Sequence, residues 1–497
     1  MAETRKKSSS KKSKKARRTQ RLVGLAMTLV LFVAMLVFFI LLATLNILPT
    51  IYMVVIGIVL LIILFYVFAS QLTKAHMVGK VLAVIVFILL CLGSYYVSVT
   101  SGVFHKITNM GEETNTMSIV VLSSAEAEYI NQTGDYIYGI NNSSSYDAAR
   151  EAISMINEKL GSEVTVVEAE NWNQLVQELY DGTIQAMILD EGYRTSIIDY
   201  YPTFDTDTRV VDEYLEVDAK TETVTASDKV VTEEPFIVLI SGTDTEGKLS
   251  TVGRSDVNIL ATVNPDTHQV FLVTTPRDAY VSLYNDESDT VIKKDKLTHA
   301  SNNGLACSVA TLEHIYDVDI DFYVRMNFTG LEKLVDALGG IRVWSDYAFT
   351  SYAQTHTYKE GWNDLDGYAA LIFARERHAF SAGDFQRNKN QVYVIQAIAE
   401  KALSVSILNK YTDVLNTLTG VVATNVPQDQ LSKLVKMEID DITQGNGDWE
   451  FKSYSVAGTT GMEGDMSVVY LDEAQVALAK EKINAALAGQ DPDSITE

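Results

Sequence analysis

The sequence predicts a membrane-anchored α/β protein with three N-terminal transmembrane helices, a small α/β domain and a larger α/β domain. Three observations predict it. Residues 22–100 contain three apolar stretches and no acidic residue. Beyond them, short β-branched runs alternate with amphipathic segments, the pattern of α/β folds. The chain has 497 residues, too many for one core. The expected divisions are a cytoplasmic basic tail (1–21), the spans (22–100), an extracellular α/β accessory domain with a linker (101–232) and the main domain (233–490).

The net charge of −24 conceals an asymmetry. Residues 1–21 hold ten Lys/Arg and one Glu. After position 100 there are 28 basic and 63 acidic residues, a net −35. Such a body repels the phosphates of nucleic acid, which is excluded as a partner. An anion would bind only at a local arginine cluster or a metal ion. Two cysteines, Cys91 in an apolar run and Cys307 in the body, offer no disulfide framework. Cys307 reads as a small core residue.

The apolar stretches Leu22–Leu45, Ile51–Ala69 and Val78–Val97 are each near the ~20 residues a helix needs to cross a bilayer. A second span follows the first too closely for a cleaved signal peptide. The basic tail places the N-terminus in the cytoplasm. The uncharged turn Asn46–Thr50 then faces outside, and Gln71–Lys80, with Lys74, His76 and Lys80, faces inside. The third span delivers the rest of the chain to the exterior, with Tyr95 and Tyr96 at the interface. The tail reads as a topology anchor in contact with anionic membrane lipids.

In the accessory region, 117–122, 164–170 and 183–190 read as strands and 144–161 and 171–182 as helices, which predicts a parallel sheet with right-handed crossovers. Residues 203–232 read as a linker with one strand, EYLEV. No metal cluster, nucleophile motif or phosphate loop stands out there. The main domain opens with strands 235–241, 257–264 and 269–276, the last two joined as a hairpin by NPDTH. Helices are expected at 305–317, at 329–340 before the Gly339–Gly340 stop, and at 388–403 with an extension toward Leu418. A strand at 449–458 and a helix at 472–487 close it.

The chemistry gathers at strand ends. Asp244 follows the first strand, and Arg254 and Asp256 precede the second. Arg277 and Asp278 follow the third, and a hairpin returns them to the edge that carries Arg254 and Asp256. Two carboxylates at adjacent strand ends can seat a hard divalent cation; surface Arg–Asp ion pairs are the alternative. FARERHAFSAGDFQRNKNQ (373–391) adds Arg375 and Arg377, on one side if extended, and Arg387 and Gln391, on one face if helical. Arginine forks grip phosphate, so Arg254, Arg277, Arg375, Arg377 and Arg387 together would form a pyrophosphate pocket. EGKLS is not a P-loop, no G-x-S-x-G or H-E-x-x-H is present, and no Cys–His pair lies near a motif. His378 reads as a supporting residue rather than a base.

GTD, GRSD, TPRD, KLTHA, YVRMNFTGLEKLVDALGGI, FARERH and GDFQRNKNQ, in that order across 235–403, resemble the LytR–CpsA–Psr family. The three spans and intervening domain resemble its streptococcal capsule-associated members. The resemblance implies an LCP domain with a central mixed sheet, on a multi-pass protein of a Gram-positive cell membrane. It implies a phosphotransferase that moves a glycopolymer, here capsular polysaccharide, from an undecaprenyl-pyrophosphate carrier to peptidoglycan, with other capsule-assembly membrane proteins as further partners. Asp244 and Asp256 match the carboxylates for Mg²⁺ (or Mn²⁺). Arg254, Arg277, Arg375, Arg377 and Arg387 match the pyrophosphate arginines, Gln391 a polar pocket residue and Lys296 a basic one. Asp278 matches the PRD aspartate, whose expected work is to orient arginines. This chain reads GTDTE where the family commonly has an arginine two residues after the aspartate. The apolar helices are candidates to sheath a polyprenyl chain, or else ordinary core. The competing function is a non-enzymatic membrane regulator of capsule or envelope biosynthesis.

Overall fold

The computed structural model describes residues 2–73, 76–108, 114–142, 146–194, 197–198, 201, 203–217, 224–244, 254–286, 288–352, 354–402, 414, 417–418, 421–444, 449–464 and 466–496. Lys74, the segment 245–253 and most of the helical extension expected toward Leu418 lie outside them. The chain divides into two compact units, Met1–His105 with Pro427–Asp448, and Lys106–Val426 with Trp449–Glu497.

The first unit holds the three apolar helices α1 (Ala2–Leu45), α2 (Thr50–Ser70) and α3 (His76–Thr108). Each has a stretch long and apolar enough to cross a membrane. Leu31, Met35, Val67, Ala83, Val86 and Leu90 pack between them, while Ile62, Phe65 and many other large side chains face outward, as lipid requires. Gly24 and Gly79 leave room for the side chains of Gln71 and Ser70 where the helices meet. A helix unread in the sequence, Gln428–Gln444, belongs to this unit. Thr443 Oγ1 lies 3.0 Å from the Tyr52 hydroxyl, and Gln428 Nε2 donates to Ser101 Oγ at 3.3 Å. The helix therefore runs across the end of the bundle where α1 ends, α2 begins and α3 ends.

The second unit contains two main sheets. The first comprises β1 (Thr114–Leu122), β2 (Ile137–Asn141), β3 (Thr165–Ala169), β4 (Ala186–Asp190) and β5 (Thr208–Val217), in the order β3-β2-β4-β1-β5. Its alternation is clean. Ile119 and Val121 meet helix α4 (Tyr146–Leu160) on one face, and Val120 meets α5 (Trp172–Tyr180) on the other. The sheet is not parallel throughout: β2 runs parallel to β3 and β4, but β1 is antiparallel to β4 and β5. The expectation failed because β2 was unread in the sequence and only a single 3-10 turn, Ile130–Gln132, lies between β1 and β2, so that connection is not a helical crossover. EYLEV is the end of the ten-residue edge strand β5 rather than part of a linker.

The central sheet is mixed, as the family resemblance implies. Its strands include β6 (Phe236–Thr243), β7 (Ser255–Asn264) and β8 (Gln269–Thr274). A hairpin follows, β9 (Tyr280–Asn285) and β10 (Thr290–Lys296), then β11 (Phe322–Asn327). β12 (Ile341–Ser345) pairs with β13 (Gly361–Leu365) outside the central sheet. β14 (Val422–Thr424) and β15 (Glu450–Ser455) form the two edges, giving the order β14-β11-β6-β7-β8-β15. β6, β7 and β8 are antiparallel neighbours, while β11 is parallel to β6 and β15 to β8.

Helix α6 (Leu305–Tyr316) and the closing helix Glu473–Leu487 pack with Leu239, Leu260, Phe271 and Val273 in one core. α7 (Phe328–Leu338), α8 (Gly367–Arg375) and α9 (Asp384–Ala402) enclose a second with β12 and β13. Gly339 and Gly340, at φ 82° and 89°, stop α7 where sequence placed the stop. All three helices proposed to sheath a lipid contribute to these packed cores.

Candidate functional site: a carboxylate–arginine cluster at the sheet rim

β6 ends where β7 begins, with Thr243 paired to Ser255. β7 and β8 pair Ile259 with Thr274, and Thr275 N donates to Asn258 O. Asp244, Arg254, Asp256, Arg277 and Asp278 therefore share one rim. Arg254 donates through Nε and Nη2 to Asp244 Oδ2, at 3.1 and 2.9 Å. Arg277 Nη1 donates to Asp256 Oδ1 at 2.7 Å. Lys296 Nζ is 3.1 Å from Asp278 Oδ1. Backbone bonds from Leu297 and Thr298 to Ala279 and Arg277 hold the KLTHA turn against PRD.

The second motif arrives from α8 and α9. Arg387 and Gln391 are both buried, one turn apart on α9. Arg387 Nη2 donates to Asp384 Oδ2 at 2.8 Å, and the same oxygen is 4.0 Å from Arg277 Nε. Arg377 Nη1 is 3.8 Å from Asp384 Oδ1. Asp384 thus joins the two motifs, and sequence reasoning had not given it a role. Its signal was available: an acid opening a helix three residues before an arginine.

Arg375 and Arg377 are not presented by an extended segment. Arg375 is the last residue of α8, and the chain turns extended only at Glu376. Arg375 stacks on Phe328, its guanidinium carbon 4.1 Å from the ring centroid. The parallel register pairs Asn327 with Thr243, so Phe328 follows β11 at the level where Asp244 follows β6. Arg375 reaches the same end of the sheet by that route. His378 lies beside Arg377, with Nε2 3.4 Å from the Arg377 Nε donor, and packs on Tyr352.

The electrostatics separate the two metal candidates. Burial, reinforced by the nearby charge of Asp256, pushes Asp244 up to about 6 despite Arg254. Burial acts the same way on Asp256, but Arg277, Arg387 and Arg254 outweigh it and hold the group below the ordinary carboxylate range. Burial lowers Arg387, and repulsion from Arg277 adds to that. Within the cluster, the buried atoms Arg277 Nε, Arg387 Nε and Asp244 Oδ1 lack hydrogen-bond partners among the described residues. Each such orphan costs about 1–3 kcal/mol. Two unmatched donors call for an anion, and one unmatched carboxylate oxygen calls for a cation. The donor set fits a hard divalent ion, which binds one or two carboxylates together with phosphate oxygens and water. No group of three or more acidic, His or Cys residues forms a metal cage among the described residues. A cavity of about 620 Å³ lies in the accessory region beside Tyr180, Tyr201 and Asp207.

The LytR_cpsA_psr family profile matches residues 200–485, more than half of the chain. The chain belongs to the LytR–CpsA–Psr family. It is 37% identical over 209 residues to the polyisoprenyl-teichoic acid–peptidoglycan teichoic acid transferase TagU of Bacillus mycoides, covering 42% of this chain and 66% of that relative. The chain thus spans slightly less than two thirds of that relative's length. TagU of Enterococcus faecalis is 32% identical over 258 residues, 51% of this chain and 80% of the relative. Among solved structures, protein gbs0355 from Streptococcus agalactiae matches with TM-score 0.45 and 25% identity, covering 53% of this chain and 91% of that one. The family-matched segment contains the whole cluster.

Proposed function

We propose that this chain is a membrane-anchored phosphotransferase that moves a glycopolymer from an undecaprenyl-pyrophosphate carrier to a hydroxyl of peptidoglycan outside the cell. The observation that carries the reading is the convergence of Arg254, Arg277 and Arg387 with Asp244, Asp256 and Asp384 at one sheet end, with unmatched buried donors among the arginines. The relatives' names, which specify teichoic acid transfer to peptidoglycan, support the reaction class.

In this reading the arginine forks bind the pyrophosphate oxygens and offset the charge that develops on the departing lipid phosphate. The acceptor hydroxyl forms a new P–O bond at the sugar-bearing phosphorus, the bridging P–O bond breaks, and polyprenyl phosphate leaves. Asp244, Asp256 and Asp278 are the carboxylates at hand to take the hydroxyl's proton. Asp256 is a poorer base than Asp244, because its arginines lower its proton affinity. Asp244 and Asp256 would hold Mg²⁺, which supplies positive charge to the phosphate oxygens when bound. Asp384 keeps Arg277, Arg377 and Arg387 together.

Capsular polysaccharide is the polymer we assign, on the resemblance of the spans and accessory domain to capsule-associated members. The N-terminus is cytoplasmic and the bulk of the chain exterior. The test is attachment of polymer to the wall in cells carrying Arg375→Ala. Arg375 is exposed and rests on a ring rather than a carboxylate, so its loss spares the fold. Loss of wall-linked capsule with folded protein in the membrane supports the assignment. Loss of teichoic acid alone reassigns the polymer, and unchanged attachment of both rejects the transferase.

A further inference from the structure

Outside the cluster, the β12–β13 ribbon carries two tryptophans on its outer face. Ile341 and Val343 turn into the core, while Arg342 and Trp344 turn outward, and Trp362 is the cross-strand partner of Trp344. The two rings meet edge to face at 5.5 Å, and the Arg342 guanidinium lies 5.3 Å from the Trp362 centroid. Trp344 and Trp362 remain 40% and 44% exposed. A pair of large aromatic rings left exposed side by side on an outer face is the kind of apolar patch that interaction sites use. Together with Tyr393, Gln396 and Glu400 of α9, they bound a cleft of about 240 Å³.

We propose that this cleft binds the glycan strand of peptidoglycan, the acceptor, in the transfer reaction proposed above. A pyranose has an apolar C–H face that stacks on an aromatic ring and hydroxyls at its edge. Arg342, Gln396 and Glu400 supply donors and acceptors around the rings, and Gln396 is already oriented by Glu400 at 2.9 Å. The charge selects the occupant. Glu400 lines the cleft, Asp364 stands opposite Arg342, and Asp346 accepts from Trp344 Nε1. Set against the single charge of Arg342, these three acids disfavour a polyanionic teichoic chain and an anionic lipid surface, and tolerate a neutral glycan backbone.

Hydrogen bonds also link the cleft to the cluster. Asp346 accepts hydrogen bonds from Tyr393 of the cleft and from Gln386, the neighbour of Arg387. Gln396 stands nine residues after Arg387 on α9, about 14 Å along the axis at 1.5 Å per residue. A short oligosaccharide spans that distance. Tyr352, 75% exposed and packed on His378 beside Arg377, places a further ring near the cluster.

The test uses the full chain in detergent or nanodiscs, titrated with strands of β-1,4-linked N-acetylglucosamine, which carry the glycan backbone without charge. Trp362→Ala lowers strand affinity at least ten-fold with melting temperature and polyprenyl-pyrophosphate binding unchanged. Trp362→Phe, which keeps a ring, loses less than three-fold. Unchanged strand affinity in Trp362→Ala overturns the proposal. So does loss of binding to phosphatidylglycerol vesicles with strand binding intact, which would make the tryptophans a membrane contact. Arg375→Ala, which spares the fold, separates this proposal from the transferase reading: it loses donor binding but keeps strand affinity. Should Arg375→Ala retain full transfer, the transferase site falls, and the Trp362 titration still decides the glycan cleft.

Discussion

Arg277 Nη1 donates to Asp256 Oδ1 at 2.7 Å across neighbouring strand ends, and both side chains are largely buried. Removing the arginine leaves a buried carboxylate without its main partner, a defect that typically costs about 3–5 kcal/mol. Arg277→Ala should therefore destabilise the protein as well as stop transfer. Arg277→Lys keeps the charge but loses the planar fork. It should recover most of the thermal stability while wall attachment stays at least ten-fold reduced, a split read by melting curves alongside quantification of wall-linked polymer.

Asp384 approaches Arg277, Arg377 and Arg387 at once. Asp384→Asn keeps the shape and removes the charge that offsets three cations. The arginines should separate, weakening binding of a polyprenyl pyrophosphate by about ten-fold or more, the cost of roughly one charge-assisted contact. Binding equal to the unaltered protein, measured by calorimetry, would show that Asp384 only caps its helix.

Phe328 supports Arg375 from beneath. A cation–π contact is worth roughly 0.5–2 kcal/mol. Phe328→Leu retains apolar bulk without the ring, so transfer should fall several-fold with little change in melting temperature. A fall in stability matched by an equal fall in folded protein would trace the effect to packing instead.

The pH dependence follows from Asp244. Its folded value, pushed to about 6, exceeds the ordinary 3.8. The folded protein therefore holds a proton that the unfolded chain has released, and stability falls as pH rises from about 4 through about 6. The drop attributable to this group is on the order of 3 kcal/mol. Asp244→Asn, which cannot ionise, should flatten this part of the curve in metal-free denaturant titrations at pH 4.5, 5.5 and 6.5. A slope as steep as that of the unaltered protein would assign the change to another group.

Several features were open to sequence reasoning because they are local. The spans follow from uninterrupted apolar runs, since a bilayer tests hydrophobicity segment by segment. The return of Arg277 to Asp256 follows from one hairpin. The shared face of Arg387 and Gln391 follows from helical spacing.

The sequence by itself determined three apolar helices, a mixed α/β body and the residue types of an anion site. Tertiary structure alone decided that Asp384 would be the junction of the arginines, that Phe328 would stand level with Asp244, that β1 would run antiparallel in the accessory sheet, and that Gln428–Gln444 would join the spans. The physical reason is range. Periodicity is written within one or two turns of chain, whereas the pairing of Asn327 with Thr243 links strands 84 residues apart and is fixed only when both faces of the central sheet find their cores.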